Sequence, residues 1–494
     1  MKYFLGIDVG TSGTKTILMG EDGAVIRSAV AEYPLSTPKN GWAEQHPDLW
    51  RDAVIKTVRK VVGFEEVSAV GLTGQMHGLV MLDKDDVVIR PAILWCDQRT
   101  AAECAEITEK VGAERLIELT ANPALTGFTA PKILWVRKHE PENYAKAVKL
   151  MLPKDYIRYE LTGVHASDVS DASGTGLLNV GKRDWSDEVL GKLSIDRALL
   201  GKLYESCEVT GHISERAAAA TGLKTGTPVI AGAGDNAAAA IGTGVDRDGR
   251  AFVTIGTSGV LFAHTSEMRL DPKGRVHTFC AAVPGEWHIM GVTLSAGLSL
   301  QWLRNNFLAG TGYKELDALA GAAPIGSNRL LFLPYLNGER TPHLDPDCRG
   351  AFVGLSSSHG KGDVIRSVME GVSFSLKDCQ DVIVEMGADL GDVTACGGGG
   401  SSPFWRQMLA DVFGCNVNTV QSSDGPALGA AMLAAVGEGT FKSVKEVCDK
   451  LVLSGDRVPP NKDANKKYAA YHLIYKSLYG GLKKDFTALA NIEE

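Results

Sequence analysis

One short pattern occurs twice in this chain, and it restricts the fold more than any other feature. Tyr3 to Ile7 is an apolar, β-prone run that delivers Asp8 to the turn Gly10-Thr11-Ser12-Gly13, and a second run, Thr16 to Met19, leads away. Ala251 to Ile255, Gly256-Thr257-Ser258-Gly259 and Val260 to His264 repeat the arrangement. Each copy predicts a β-hairpin whose glycines permit positive φ and close backbone approach, so turn N–H groups and the Thr and Ser hydroxyls converge on one oxyanion. Taken singly, either turn reads equally well as a plain glycine-rich connection. Repetition at the head of each half favours a duplicated domain and a phosphate held between the copies. Asp8 repels a bare phosphate but suits one that arrives with a divalent cation.

At 494 residues the chain exceeds what one core usually supports, which predicts two domains. The charged, glycine-containing turn Arg247 to Arg250 sets the expected boundary, with 1–246 before it and 247–494 after. Apolar residues at 44% and 56 glycines fit an α/β protein with many tight strand-to-helix turns. A net charge of -8, with no long Lys/Arg block, argues against nucleic acid or an anionic membrane as partner and leaves small molecules. Nine cysteines without a CxxC pair suggest neither a zinc site nor a disulfide framework. With Asp8 where an apolar signal core would lie, the expected compartment is the cytoplasm. The uncharged run after Trp287 contains His288, Thr293, Ser295, Ser299 and Gln301, and predicts a buried strand then a buried helix rather than a membrane span.

Along the chain, Ala24 to Tyr33 predicts a third strand, and Leu49, Trp50, Val54, Val58 and Val61 a helix from Pro47. Val67 to Leu72 is a buried strand ending in Gly74-Gln75-Met76-His77-Gly78, a loop at the strand end where open α/β sheets place ligands. Residues 100–225 read as mostly helical inserted material. Pro228 to Ala231 is a strand, Gly232 to Asn236 its turn into an Ala-rich helix. Further strands at Leu330 to Tyr335, Val393 to Cys396 and Asn416 to Val420 lead to Asn337 to Pro342, Gly397 to Ser402 and the helix opened by Gly425-Pro426-Ala427. A long helix spans about Asp363 to Met386.

Five small-residue turns at strand ends (10–13, 234–236, 256–259, 397–402 and 425–430) need a common purpose. A nucleoside triphosphate supplies one, because its phosphates call for backbone donors on both sides and its base for a flat slot. GxxxxGK[ST] and the protein-kinase motif set are absent. Gly232 to Ala237 also satisfies GxGxxA, but no acidic residue follows at the spacing a dinucleotide fold requires, and the other turns stay unexplained.

The paired Gly-Thr-Ser-Gly hairpins, the Gly-Asp-Asn-Ala connector and the Gly-rich turn at 397–400 resemble the actin/hexokinase/Hsp70 ATPase superfamily, and more closely the FGGY carbohydrate kinases. Gly127 to Trp135 and Gly350 to Gly371 fit that family's two signatures. Gly74 to Gly78, Leu94 to Arg99, Leu152 to Tyr156 and Gly338 to His343 are similar to its members that act on xylulose, and Met76-His77 differs from the Arg-Glu of those that act on glycerol. The resemblance implies an α/β fold of two ribonuclease-H-like domains, with mixed sheets flanked by helices and a cleft between them. It implies a first domain on the sugar side, carrying the insert at 100–225, and a second on the nucleotide side.

It further implies ATP-dependent phosphorylation of D-xylulose, with ATP and Mg²⁺ bound, and another ketose or a polyol as the alternative acceptor. Asp235 is then the general base, and Asp8 holds magnesium through water. Thr11, Ser12, Thr14, Lys15, Gly256, Thr257 and Ser258 meet the phosphates, and Gly398, Gly399 and Ser402 border the adenosine. Met76, His77, Asn236 and Trp95 join Asp235 around the sugar. Asp97 and Arg99 either face the sugar or form a structural pair. Outside this class stand an actin-like filament or chaperone module and a dehydrogenase. A homodimer is compatible with the sequence but not indicated by it.

Overall fold

Both hairpins form where the repeated pattern places them, in a computed structural model that describes residues 1–63, 65–422 and 424–492. The first belongs to a seven-stranded sheet. There β1 (Tyr3–Val9) pairs antiparallel with β2 (Gly13–Gly20), which pairs with β3 (Val25–Glu32). On the other side of β1 lies parallel β4 (Val67–Gly74), followed by β6 (Pro228–Ile230) and the antiparallel edge strand β5 (Val209–His212). The order is β5-β6-β4-β1-β2-β3, with the short β7 (Ala233–Gly234) beside the end of β4.

The second sheet contains β8 (Arg250–Ile255), β9 (Gly259–Thr265), β10 (His277–Cys280), β11 (Trp287–Thr293), β12 (Asp392–Cys396), β13 (Val417–Val420) and β14 (Ser454–Val458). Its order is β10-β11-β9-β8-β12-β13-β14. Laid on the first, this order matches β1 to β8, β2 to β9, β3 to β11, β4 to β12, β6 to β13 and β5 to β14, with the same strand directions throughout. The duplication therefore covers a whole sheet and not only its hairpin. It also equates Asp8 with Thr254, so only the first copy carries a carboxylate at the hairpin tip.

Strand alternation decides which way that carboxylate points. Leu5, Ile7 and Val9 face α1 (Pro47–Val61), whose Trp50, Val54, Val58 and Val61 bury against them. Phe4, Gly6 and Asp8 face the opposite side, where α2 (Asp235–Gly242) packs beside a helix from far along the chain. On the second sheet α3 (Lys361–Glu385) buries Val368, Val372 and Ile383 against Val253, Leu261 and Ile289. The distant helix is α4 (Gly425–Gly437), which follows β13 yet lies on the first sheet. Its approach is backbone to backbone: a Cβ on Gly6 would sit 2.0 Å from the Ala427 carbonyl oxygen, and one on Gly429 1.8 Å from that of Ala238. The chain thus passes between the two sheets three times, at 242–250, 420–425 and 451–454.

The stretch 100–225 is less uniformly helical than its composition predicts. Besides helices it contributes β5 to the main sheet and holds short ladders, such as Ala166–Asp168 with Lys202–Tyr204. Runs of two to four residues are too short for periodicity to register. Val80–Leu82 is a short strand that pairs with Lys149–Met151, outside the main sheet. Gly397–Gly400 forms one turn of helix rather than a loop. Trp287–Thr293 is the predicted buried strand, whereas the helix Gly297–Phe307 buries only Ser299, Leu300 and Leu303 and exposes Gln301 and Asn305 to Phe307, and no helix among the described residues is long and apolar enough to cross a membrane.

Candidate active site

Two carboxylates meet where β1 and α2 end. Asp8 occupies the face of β1 turned toward α2, opposite Lys15 on β2 and Thr73 on β4. Burial and the charge of Asp235 raise its carboxyl to about 7, against an opposing pull from Lys15. Lys15 is itself committed, its Nζ 2.5 Å from Asp424 Oδ1 at the start of α4. Asp8 makes no hydrogen bond or ion pair among the described residues. Asp235 opens α2 directly after β7, and burial lifts its carboxyl to about 6. Its Oδ1 accepts from the Asn236 backbone N–H (2.7 Å) and side-chain Nδ2 (2.9 Å), which leaves Oδ2 as the free acceptor. Asn236 correspondingly keeps its side-chain carbonyl and its second amide N–H available to a ligand.

A buried charge network fixes the backbone from which Asp235 projects. Lys154 Nζ lies 2.7 Å from Asp155 and 2.9 Å from Asp168, and donates to the Ala231 carbonyl (3.2 Å). Asp168 Oδ2 accepts from Ser170 Oγ (2.5 Å), which in turn accepts from the Gly234 N–H (3.1 Å). Beside them Asp171 has no hydrogen-bond partner for either carboxyl oxygen, with Lys154 Nζ 3.8 Å from Oδ2, and burial pushes it well above the usual carboxylate range. A fully enclosed lysine remains charged here because two carboxylates compensate it.

Met76 and His77 follow β4 and stand beside this pair. Met76 packs with Phe128, Phe279, Met290 and Val292, close enough that a Cβ on Gly234 would meet its sulfur at 2.9 Å. His77 has φ 68°, stacks on Phe128 with ring centroids 4.8 Å apart, and donates from Nδ1 to the Gly174 carbonyl (2.7 Å). Burial lowers it to about 3, so the ring is neutral and Nε2 accepts. Its own carbonyl receives Lys132 Nζ (2.8 Å) and Thr129 Oγ1 (3.0 Å), both from the Gly127 to Trp135 motif.

The hairpin residues divide. Gly10, Thr11 and Ser12 form the turn, closed by Gly10 N–H on the Gly13 carbonyl (3.0 Å), and Ser12 is exposed. Thr11 Oγ1 donates to Gln75 (3.2 Å) and accepts the Trp95 indole N–H (2.9 Å), so Trp95 retains only its ring face for a ligand. Thr14 is fully buried with its hydroxyl on Tyr33, beneath the turn rather than on the cleft. Asp97 and Arg99 form a structural pair: Nη2 lies 2.6 Å from Asp97 with both side chains enclosed, and the guanidinium also reaches Glu44 and stacks on Trp42.

Two cavities flank this centre. One, of about 620 Å³, runs from Asp235 and Asn236 past Thr254 and Gly397 to Gly425. The other, of about 300 Å³, is bordered by Gly256, Thr257, Gly398, Gly399 and Ser402, with Tyr313 and Trp405 as apolar walls. A Cβ on Gly399 would strike Ile255 at 2.4 Å, whereas one on Gly398 would meet nothing within 4 Å and project into open space. The first glycine serves packing and the second keeps a slot flat. Ser402 caps the next helix and donates to Asp317 (2.7 Å), a wall residue that sequence reading did not single out. Ser258 supplies the carbonyl that closes the second turn on Gly256 N–H (3.0 Å).

Comparison with known proteins accords with this geometry. The model of the FGGY family of carbohydrate kinases, N-terminal domain, matches residues 3–242, and that of the C-terminal domain matches residues 251–438. A xylulose kinase of Bacillus subtilis (strain 168) is 40% identical over 100% of both chains. One of Escherichia coli (strain K12) is 43% identical over 95% of this chain and 96% of its own. Among solved structures, a "xyloylose kinase" from Brucella ovis superposes with a TM-score of 0.93 at 36% identity, covering 98% of this chain and 99% of that one. The duplicated sheets, the cleft between them and the full-length match lead to one conclusion: the chain belongs to the FGGY family of carbohydrate kinases.

Proposed function

We propose that this enzyme transfers the γ-phosphoryl group of ATP to the terminal hydroxyl of D-xylulose, with Asp235 as the general base. The observation that carries the reading is the free Oδ2 of Asp235, set between the Met76-His77 loop and a cavity whose far wall is the glycine turn of the second sheet. Full-length relatives at 40–43% identity that bear the name xylulose kinase support the choice of acceptor.

In this reading Oδ2 takes the proton of the C5 hydroxyl as its oxygen bonds to the γ-phosphorus, and the bond to the β–γ bridging oxygen breaks to release ADP. The turns at 10–13 and 256–259 present N–H groups to the phosphates from opposite sides and hold them in line. Asn236 anchors Oδ1, which fixes the direction in which Oδ2 points. Asp8 fits a divalent cation, being a hard, unpartnered oxygen donor whose ionisation a cation favours. When bound, magnesium neutralises charge on the phosphates. Met76, His77 and the Asn236 carbonyl meet the ketose, the 300 Å³ slot takes adenosine, and closure of the cleft excludes water as a competing acceptor.

Asp235→Asn is expected to reduce kcat by roughly 10²- to 10⁴-fold, the range for loss of a positioned base, while ATP still binds. Coupled ADP release and nucleotide titration check it, and wild-type turnover by the variant would refute the mechanism. The acceptor is tested by kcat/KM over D-xylulose, D-ribulose, L-ribulose, L-xylulose and glycerol, because a site that bonds each hydroxyl discriminates strongly. Preference for any other member overturns the D-xylulose assignment.

A further inference from the structure

Arg340, beside the wall that carries Met76, has only Glu339 as a neighbouring opposite charge and forms no ion pair with it. Its neighbour Glu339 is fully buried, but that carboxylate is spent on backbone and hydroxyl donors: Leu294 N–H (2.9 Å), Arg340 N–H (2.8 Å) and Ser375 Oγ (3.2 Å). The Arg340 guanidinium makes no hydrogen bond and no ion pair among the described residues. It is half-buried, and burial lowers its pKa. Its five N–H donors have no partner in the chain and stay reachable from outside, which makes the group a receptor for oxygens that come from outside the chain.

Its surroundings say which oxygens. Thr341 donates its N–H to the Val292 carbonyl (2.9 Å) and accepts the Val292 N–H at Oγ1 (3.1 Å), which ties the loop to the end of β11. Val292 packs in one cluster with Met76, Phe128 and Phe279, so the loop stands over the wall that carries His77. His277, one strand further, stacks on Phe279 and hydrogen-bonds Asn122 through Nδ1 (2.7 Å). The charge of Arg340 adds to the burial that keeps both imidazoles neutral. Arg340 therefore stands beside the wall that carries His77, joined to it through Thr341 and Val292. A five-carbon acceptor with its C5 hydroxyl on Asp235 directs its other end here.

We infer that Arg340, supplied by the second half of the chain, binds the C1–C2 end of the ketose, its guanidinium donating to the C2 carbonyl oxygen and the C1 hydroxyl. This rests on the ketose-kinase reading above and adds a specificity residue to it. The planar fork suits two adjacent oxygens, a geometry that a lysine ammonium does not reproduce. Because His77 comes from the first half and Arg340 from the second, a bound ketose links the two.

The experiment compares wild type, Arg340→Met and Arg340→Lys with D-xylulose and with 1-deoxy-D-xylulose, which lacks the C1 hydroxyl. Loss of hydrogen bonds to a charged group predicts a rise of roughly 10- to 150-fold in KM for D-xylulose in Arg340→Met, with KM for ATP within twofold of wild type. Wild type is expected to prefer D-xylulose to its deoxy analogue, and Arg340→Met to lose most of that preference. Arg340→Lys, which keeps the charge, is expected to fall between them with an unchanged melting temperature, and it carries the test if the methionine variant unfolds. Discrimination equal to that of wild type in either variant, or a ketose KM within twofold of wild type, overturns the assignment. Failure of wild type to phosphorylate D-xylulose would overturn the parent reading and this one together, whereas normal wild-type turnover with unaffected variants overturns only this one.

Discussion

Asp235 titrates close to the pH at which it has to act. Burial lifts its carboxyl to about 6 while two hydrogen bonds from Asn236 pull it down. In the proposed mechanism the carboxylate is the proton acceptor, so kcat/KM is expected to rise with pH through about 6 and level off above it, measured at saturating magnesium. Asn236→Ala removes one donor to the ionised form and is expected to shift that acid limb to higher pH; a shift toward acid would contradict the assignment. Lys132 makes a second case. Burial lowers it to about 7, and it contacts only carbonyls, those of His77 (2.8 Å) and Gly127 (2.6 Å). Lys132→Met leaves the Gly127 carbonyl unpaired and the His77 carbonyl with Thr129 Oγ1 alone, at a cost of about 1–3 kcal/mol. Because His77 is held in a left-handed backbone conformation by these bonds, KM for the ketose is expected to rise with KM for ATP unchanged, as steady-state kinetics would report.

At the scale of elements, the legible parts of this fold are those with a strong local signal. The hairpins could be read because apolar β runs end in glycine, and α1 because Trp50, Val54, Val58 and Val61 keep helical spacing. Asp8 and Asp235 stood out because each interrupts such a run. The network under Asp235 was not legible, since Ser170 and Gly234 are 64 residues apart and meet only through tertiary packing. Lys154 and Arg340 lay inside quoted motifs, yet nothing in the spacing showed that one is enclosed by carboxylates and the other unpaired. The small residues of α4 predicted close packing but not which sheet it packs on. That contact invites a test at Gly429, where a side chain would collide with the Ala238 carbonyl. Gly429→Val is expected to cost about 1–3 kcal/mol or more by overpacking, seen as a lower melting temperature in thermal unfolding. An unchanged transition would show that α2 and α4 separate freely.

For the whole molecule, the return of α4 to the first sheet means that the first half has no complete core from its own sequence. Phe4, Ile17, Met19 and Ala69 are fully buried in a cluster that includes Ala427, Ala431 and Met432. A fragment of residues 1–246 is therefore expected to expose that apolar face, aggregate or bind a hydrophobic dye, and lack a cooperative unfolding transition; a sharp transition would refute this. The three chain passages between the sheets also converge. Thr243 and Gly249 from the first, Thr419 and Val420 from the second, and Val452 and Ser454 from the third all border one polar cavity of about 610 Å³. The three crossings thus enclose a polar space, and the apolar contact between the halves lies to either side of it, where Ala240 and Val245 pack on Phe252 and Phe262 and where Met76 and Phe128 pack on Phe279 and Val292.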